Sequence, residues 1–251
     1  MFIEIKHRDG RVLHSCVANH LRDALQRAAR ERVDLGGARL DGADLSGANL
    51  ERAELAEASL VGANLRGANL EDVNLARADL TGANFDGANL EDANLSRVVM
   101  VEASARGANL EDALLEGSDL SRAVLDGANL ETADLRNFKL VGGRAARANF
   151  EKCRMSASDL SGADLSAANL ERCDLLGARL VGTNLHGANL EKCNFMEADL
   201  SGADLGEANL EKCNLDGAYV DDANFEEANL DGSRGRPRVR GERRERKESE
   251  V

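Results

Sequence analysis

From residue 35 onward an apolar side chain returns every fifth residue. Leu35, Leu40, Leu45 and Leu50 begin a series that runs to Leu230 without a slip in register. This period matches neither the 3.6 residues of a helical turn nor the two of a strand. A helix would scatter the leucines around its circumference, and a flat strand would send them alternately to opposite faces. The chain must therefore turn once in every five residues, so that all of them point to a common axis. Of the forty central positions thirty-one are Leu; the others are Phe85, Phe150, Phe195, Phe225, Met100, Met155, Val220, Ala105 and Ala145. Two residues earlier Ala stands at 28 of the forty sites, small enough to let walls approach. One residue earlier Asn or Asp stands at 28, and these suit corners because they tolerate turns and bond to nearby backbone. With one Pro, one Tyr and no Trp, the chain lacks the aromatic content of an ordinary globular core and reads as a repeat throughout.

A second period fixes the cross-section. Glu follows the central residue at Glu51, Glu71, Glu91, Glu111, Glu131, Glu151, Glu171, Glu191 and Glu211, and Cys fills the small site at Cys153, Cys173, Cys193 and Cys213. Both spacings are twenty, so four five-residue units close one coil and the coil has four sides. Forty units make about ten coils, and at the spacing of paired strands the rod is ~48 Å long.

The runs Ala48-Asn49-Leu50, Ala68-Asn69-Leu70 and Ala163-Asp164-Leu165 resemble the A(D/N)LXX signature of pentapeptide-repeat proteins. The resemblance covers residues 33–232. It implies an all-β solenoid, a right-handed quadrilateral β-helix; the handedness comes from the resemblance and the four sides from the spacings. Some members of that family mimic duplex DNA and engage DNA gyrase or topoisomerase IV, inhibiting them or protecting them from quinolones. Members active on topoisomerases carry inserted loops that are absent here, and members that dimerise at the C-terminal end do so through apolar segments that this chain lacks.

Three parts follow. Residues 1–32 read as an N-terminal cap: strands at 2–5 and 11–16, a turn at 7–10, and a helix capped by Asn19 that seats Leu21 and Leu25 on the first coil. Residues 33–233 form the β-helix. Residues 234–251 read as a basic, disordered tail; either it folds back on the acidic last coil or that end is a dimer contact, so the chain is a monomer or a C-terminal-end dimer. No signal-like or bilayer-length apolar stretch is present, so the expected setting is cytoplasmic, with no membrane partner and reduced thiols.

Charge is segregated. Residues 1–33 carry net +3, residues 234–251 net +4, and the body between them net −20. That is ~0.4 charge per Å, against ~0.6 for duplex DNA. It disfavours direct nucleic-acid binding and keeps a topoisomerase among the candidate partners, beside another protein of unknown identity. Within the body, Asp72, Asp92 and Asp112 follow Glu71, Glu91 and Glu111 and deepen the glutamate column that Glu51 begins. Further on, Lys152, Arg172, Lys192 and Lys212 neutralise it. The acidic edge Glu51, Glu71, Asp72, Glu91, Asp92, Glu111 and Asp112 is the candidate interaction surface. It is either a recognition surface for a basic partner or a solvated face that keeps the rod soluble.

Two stretches depart from the pattern. Around 98–106, Val99 and Val101 should face outward. Around 136–154, Phe138 takes a small site, Gly143 and Ala145 weaken the core, and Arg136, Lys139, Arg144, Arg147, Lys152 and Arg154 make a basic belt. Each break marks a kink, a drifted coil or a contact site. Asp119, Lys139, Asp159, Arg179 and Asp199 alternate in sign as a column of cross-strand ion pairs. Four thiols suggest zinc, but zinc needs sulfurs converging on one point, and a ladder is linear. The cysteines read as small apolar packing residues, and no cofactor is expected. His7, His14, His20 and His186 are the only histidines, and no nucleophile has an identifiable base. The sequence reads as a non-enzymatic binding or structural protein.

Overall fold

The five-residue period is realised as a solenoid of single bridges rather than long strands. The computed structural model describes residues 1–239. From Asp34 onward each bridge residue pairs in parallel with the residue twenty further on: Asp34 with Glu54, Arg39 with Ser59, Asp44 with Asn64, Asn49 with Asn69, and so on to Asn209 with Asn229. Four bridges per twenty residues give four faces, here called the first to the fourth in the order of residues 34, 39, 44 and 49.

One unit shows the geometry. The Leu50 N–H donates to Asn69 O at 2.8 Å, and Asn69 N–H donates back to Ala48 O at 2.9 Å. Between faces, Ala53 N–H closes on Leu50 O at 3.0 Å, and Arg52 sits at φ 56°. A bond from i to i+3 with positive φ at the third residue is a type II turn. The second corner residue has positive φ in every unit from Gly37 to Gly232, whether or not it is glycine. Asn and Asp, placed at corners by the sequence pattern, stand instead on the flat of each face. Their local bond is real, though, since Asn49 Oδ1 accepts from the Glu51 N–H at 3.1 Å and so steadies the corner.

The axis is filled by the central and small residues, from Leu35 to Leu210 almost all fully buried. Both pattern breaks lie inside this core and resolve as exchanges of volume. Phe138 is fully buried at a site that usually holds Ala, and in the same coil Ala145 replaces Leu and Gly143 replaces Ala. A Cβ on Gly143 would lie 2.5 Å from Leu140 Cδ1, so that space is already taken. Likewise Val98 is enlarged where Ala105 is reduced, and both are buried. Cores tolerate such swaps when total volume is kept. Gly143 and Ala145 thus accommodate Phe138 rather than weaken the core.

The cap begins with an antiparallel hairpin, β1 (Phe2–Lys6) with β2 (Val12–Val17), and continues into α1 (Leu21–Arg30). The helix N-cap is His20, without a side-chain cap bond, rather than Asn19. Its C-terminus closes with Arg32 N–H on Ala29 O and Val33 N–H on Ala28 O, the Schellman pattern, with Arg32 at φ 52°. Ala24, Leu25 and Ala28 are fully buried and Leu21 half-buried. The first coil has no preceding coil to bond with, and the cap supplies partners. Lys6 O accepts from Arg39 N–H at 2.8 Å, Gln26 Oε1 accepts from Asn49 N–H at 2.9 Å, and Arg22 donates to Ser46 O at 3.0 Å.

At the other end the ladder continues past the expected start of the tail. Arg234 bridges Asn214, and Arg238 bridges Tyr219. The second spacing is nineteen, so the register slips by one residue after Arg234. Gly235 absorbs the slip: its φ is 113°, and a Cβ there would lie 2.3 Å from Asp216 N. The remainder of the expected tail, residues 240–251, lies outside the described residues.

Candidate interaction surface

The fourth face carries Asn at every bridge position, from Asn49 to Asn229 at intervals of twenty. Each side-chain amide donates to the Asn Oδ1 one coil back. The distances are 3.4 Å for Asn69 to Asn49 and 3.0 Å for Asn109 to Asn89, Asn129 to Asn109 and Asn149 to Asn129. This column has the same period as the glutamates, and the sequence reading missed it by pooling Asn with Asp. The signal was present, since ten identical residues fall on one face while the other three faces are mixed.

The glutamate column stands two residues further on, at the corner between the fourth and first faces. In the N-terminal half its carboxylates rest on the asparagines. Asn89, Asn109 and Asn129 reach back to Glu71, Glu91 and Glu111 at 3.5, 3.1 and 3.1 Å. Asp72, Asp92 and Asp112 are exposed beside them. Arg52 bridges Asp72 at 3.1 Å and Glu51 at 3.2 Å, and the Thr132 hydroxyl donates to Asp112 at 2.6 Å. Among the described residues Glu71, Glu91, Asp92, Glu111 and Asp112 have no cation within ion-pair distance. The structure thus brings the acidic residues chosen from the sequence onto one corner, with Glu51 tied to Arg52 at its margin.

In the C-terminal half four cations offset most of the charge of the five glutamates on the same corner. Lys152 bridges Glu131 at 3.0 Å and Glu151 at 2.9 Å. Lys192 bridges Glu191 at 2.6 Å and Glu171 at 3.7 Å, and Lys212 holds Glu211. Hydrogen bonds from Lys152 and Lys192 hold Glu151 and Glu191 below the usual glutamate range.

The basic belt is not a single surface. Residues 136–154 span almost a full coil, so the cations point out on all four sides. Arg136 binds Asp134 through Nε at 2.7 Å and Nη2 at 2.6 Å, and Arg154 adds a contact at 3.3 Å. Burial raises the Asp134 pKa, but Arg136 and Arg154 outweigh it and leave it below its usual value. Arg144 pairs with Asp126 at 3.0 Å and Lys139 with Asp119 at 3.9 Å. Arg147, exposed at a corner, has no ion pair among the described residues.

The four ladder cysteines are buried free thiols, as is Cys16 in the cap. Each donates to a backbone carbonyl 2.9 Å away: Cys153 to Leu130 O, Cys173 to Phe150 O, Cys193 to Leu170 O and Cys213 to Leu190 O. Ser118 and Thr183 do the same from equivalent small sites, to Leu95 O and Leu160 O at 2.8 Å. Burial pushes the Cys173 and Cys193 thiols well up. Hydrogen bonding from Cys193, with burial, raises Cys213. Such thiols are poor nucleophiles. Among the described residues no three His, Cys, Asp or Glu side chains are placed to hold a metal ion, and no helix is long and apolar enough to cross a membrane. Outward apolar residues are scattered. Val99 is 41% exposed, and Leu114, at a site that usually carries Asn or Asp, is 46% exposed.

A family model described as Pentapeptide repeats matches in eight copies across residues 34–232. Among solved structures, HetL is similar over 84% of this chain and 95% of its own, at 33% identity and TM-score 0.81. HetL is a pentapeptide repeat protein involved in heterocyst differentiation regulation, from the cyanobacterium Nostoc sp. strain PCC 7120. QnrB1, a plasmid-mediated fluoroquinolone resistance protein, is similar over 71% of this chain and 91% of its own, at 17% identity and TM-score 0.53. A trypsin-treated form of QnrB1 is similar at 19% identity and TM-score 0.52, over 79% and 89% of the two chains. At these identities the likeness to QnrB1 is one of fold. No curated protein matches the sequence.

Proposed function

The chain belongs to the pentapeptide-repeat family, and we propose that within it this protein is a non-enzymatic scaffold whose acidic N-terminal corner receives a basic surface of a protein partner. One observation carries the reading. On the same corner, Glu131 to Glu211 each contact a lysine or arginine, whereas Glu71, Glu91 and Glu111 contact asparagine amides that leave their charge in place. Charge needed only for solubility has no reason to be sorted along the rod in this way. A line of unneutralised carboxylates steers a cationic surface and sets its register. The reading places the protein in the cytoplasm, where its thiols stay reduced.

The test is affinity capture with a chain carrying E71Q, D72N, E91Q, D92N, E111Q and D112N. Its control neutralises Glu151, Glu171, Glu191 and Glu211 instead. A partner retained by the native chain and the control, lost by the first variant and released by salt, is the expected result. Partners bound equally by all three chains would sink the idea.

A second reading, mimicry of DNA toward gyrase or topoisomerase IV, is favoured by the charge of the body, net −20, which approaches duplex density over the rod's length. A supercoiling assay with and without quinolone tests it, and no change at micromolar protein removes it.

A further inference from the structure

The two ends of the rod are finished differently. At the C-terminal end, residues 234–239 extend the ladder over the first and second faces only. Over the third and fourth faces, Asn224 and Asn229 are the last rungs among the described residues. One coil earlier, Leu205 and Leu210 donate to Asn224 O and Asn229 O at 2.8 and 2.7 Å. Among the described residues nothing accepts from the equivalent N–H groups of Phe225 and Leu230. Leu230 is 42% exposed, whereas Leu210 beneath it is fully buried. Among the described residues half of the end is therefore an open β-edge with apolar residues at its centre. Asp221, Asp222, Glu226, Glu227 and Asp231 stand at its corners, and Arg234, Arg236 and Arg238 lie on the finished half beside it. Residues 240–251 contain a single aliphatic side chain, Val251.

The N-terminal end offers the complement. β1 and β2 form a two-stranded sheet, which leaves the outer edge of β2 as an edge strand. Phe2 and Val17 face each other across the hairpin and are 66% and 74% exposed. Lys6, Arg8 and Arg11 lie on the same hairpin, where they pair with Glu4, Glu57 and Asp9 at 3.0, 3.9 and 3.7 Å, in an N-terminal segment of net positive charge.

We propose that the open C-terminal edge of one molecule takes the N-terminal hairpin of a second copy, head to tail. β2 adds to the unfinished coil by strand addition, Val17 and Phe2 meet Leu230 and Phe225, and the hairpin cations meet the carboxylate rim. The head-to-tail contact is heterologous and does not close, so it builds linear chains.

Sedimentation of the full chain over a range of concentrations tests this. The expected mass passes beyond the dimer as concentration rises and falls as salt is added. Val17→Asp removes the head and Leu230→Asp the tail. Each variant alone stays monomeric, and a mixture of the two forms a dimer and stops there. Glu227→Lys, at an exposed corner, replaces Leu230→Asp should that change unfold the end. Four results overturn the proposal: a native chain monomeric throughout, a dimer ceiling indifferent to Val17→Asp, no complex in the mixture, or assembly only after residues 240–251 are deleted, which would assign the edge to the chain's own C-terminus.

Discussion

The corner between the fourth and first faces holds one glutamate per coil along nearly the whole rod, yet its two halves solve the same electrostatic problem differently. Stacked like charges oppose strand pairing. From Glu131 to Glu211 the next corner positions supply Lys152, Arg172, Lys192 and Lys212, and the ladder becomes a chain of ion pairs. From Glu71 to Glu111 those positions are Asp, and the carboxylates are held by amide hydrogen bonds from Asn89, Asn109 and Asn129. An amide satisfies a carboxylate's lone pairs without cancelling its charge. The N-terminal half therefore keeps its field at a cost in repulsion, and the C-terminal half gives up the field for ion pairs. The same backbone serves both, so the difference lies in surface chemistry alone.

Breaking the amide support should have the largest effect. Asn109→Asp removes the donor to Glu91 and Asn89 and adds a third carboxylate, and it should cost about 2–4 kcal/mol. Asn189→Asp, close to Lys192, should cost less than half as much, as read from urea midpoints. Equal losses would end the distinction between the halves.

Acid should act on the C-terminal half. Glu151 and Glu191 have folded pKa values lowered by Lys152 and Lys192. Their contribution is complete above the ordinary glutamate pKa and disappears as pH falls through the lowered folded values. Hydrogen exchange across the acid range should show earlier loosening of residues 151–212 in the native chain than in a Lys152→Met, Lys192→Met double variant measured against its own neutral-pH baseline. The effect is modest because these groups are exposed and screened.

Salt should separate the halves by sign. Added salt screens repulsion over residues 71–112 and attraction over 151–212. Amide protection should rise in the first stretch and fall in the second. A uniform change would mean that neither ladder matters.

The smallest effect belongs to the thiols. Cys193→Ser keeps a donor for Leu170 O, as Ser118 does for Leu95 O, and should shift stability by less than about 1 kcal/mol. Thiol titration of the folded native chain should be slow at all four ladder cysteines; rapid modification would contradict their burial.

Much of the rod is legible in the sequence, because a solenoid repeats one local decision. Each leucine's inward direction follows from its own unit, and the twenty-residue recurrence of Glu51, Glu71 and Glu91 shows how many units close a coil. The acidic corner was equally legible, since residues twenty apart become neighbours. Less so was the belt at 136–154: a cluster in sequence became a ring in space, because eighteen residues of this fold travel almost once around the axis. The core exchange of Phe138 with Gly143 and Ala145 looked like three defects, since a pattern records positions and not shared volume.

What the sequence determined by itself is the period, the inward residues, the stacking of like residues in columns and the sorting of charge along the rod. Only the tertiary structure decided which carboxylates are neutralised and which are merely hydrogen-bonded. It also decided that Asn stands on the faces while Arg52 or Asp72 occupies the strained corner, and that among the described residues the last coil is finished on two sides out of four. The physical reason is range. A repeat fixes backbone geometry unit by unit, whereas the reach of a lysine, the filling of a core layer and a one-residue slip at Gly235 depend on side chains one full coil apart.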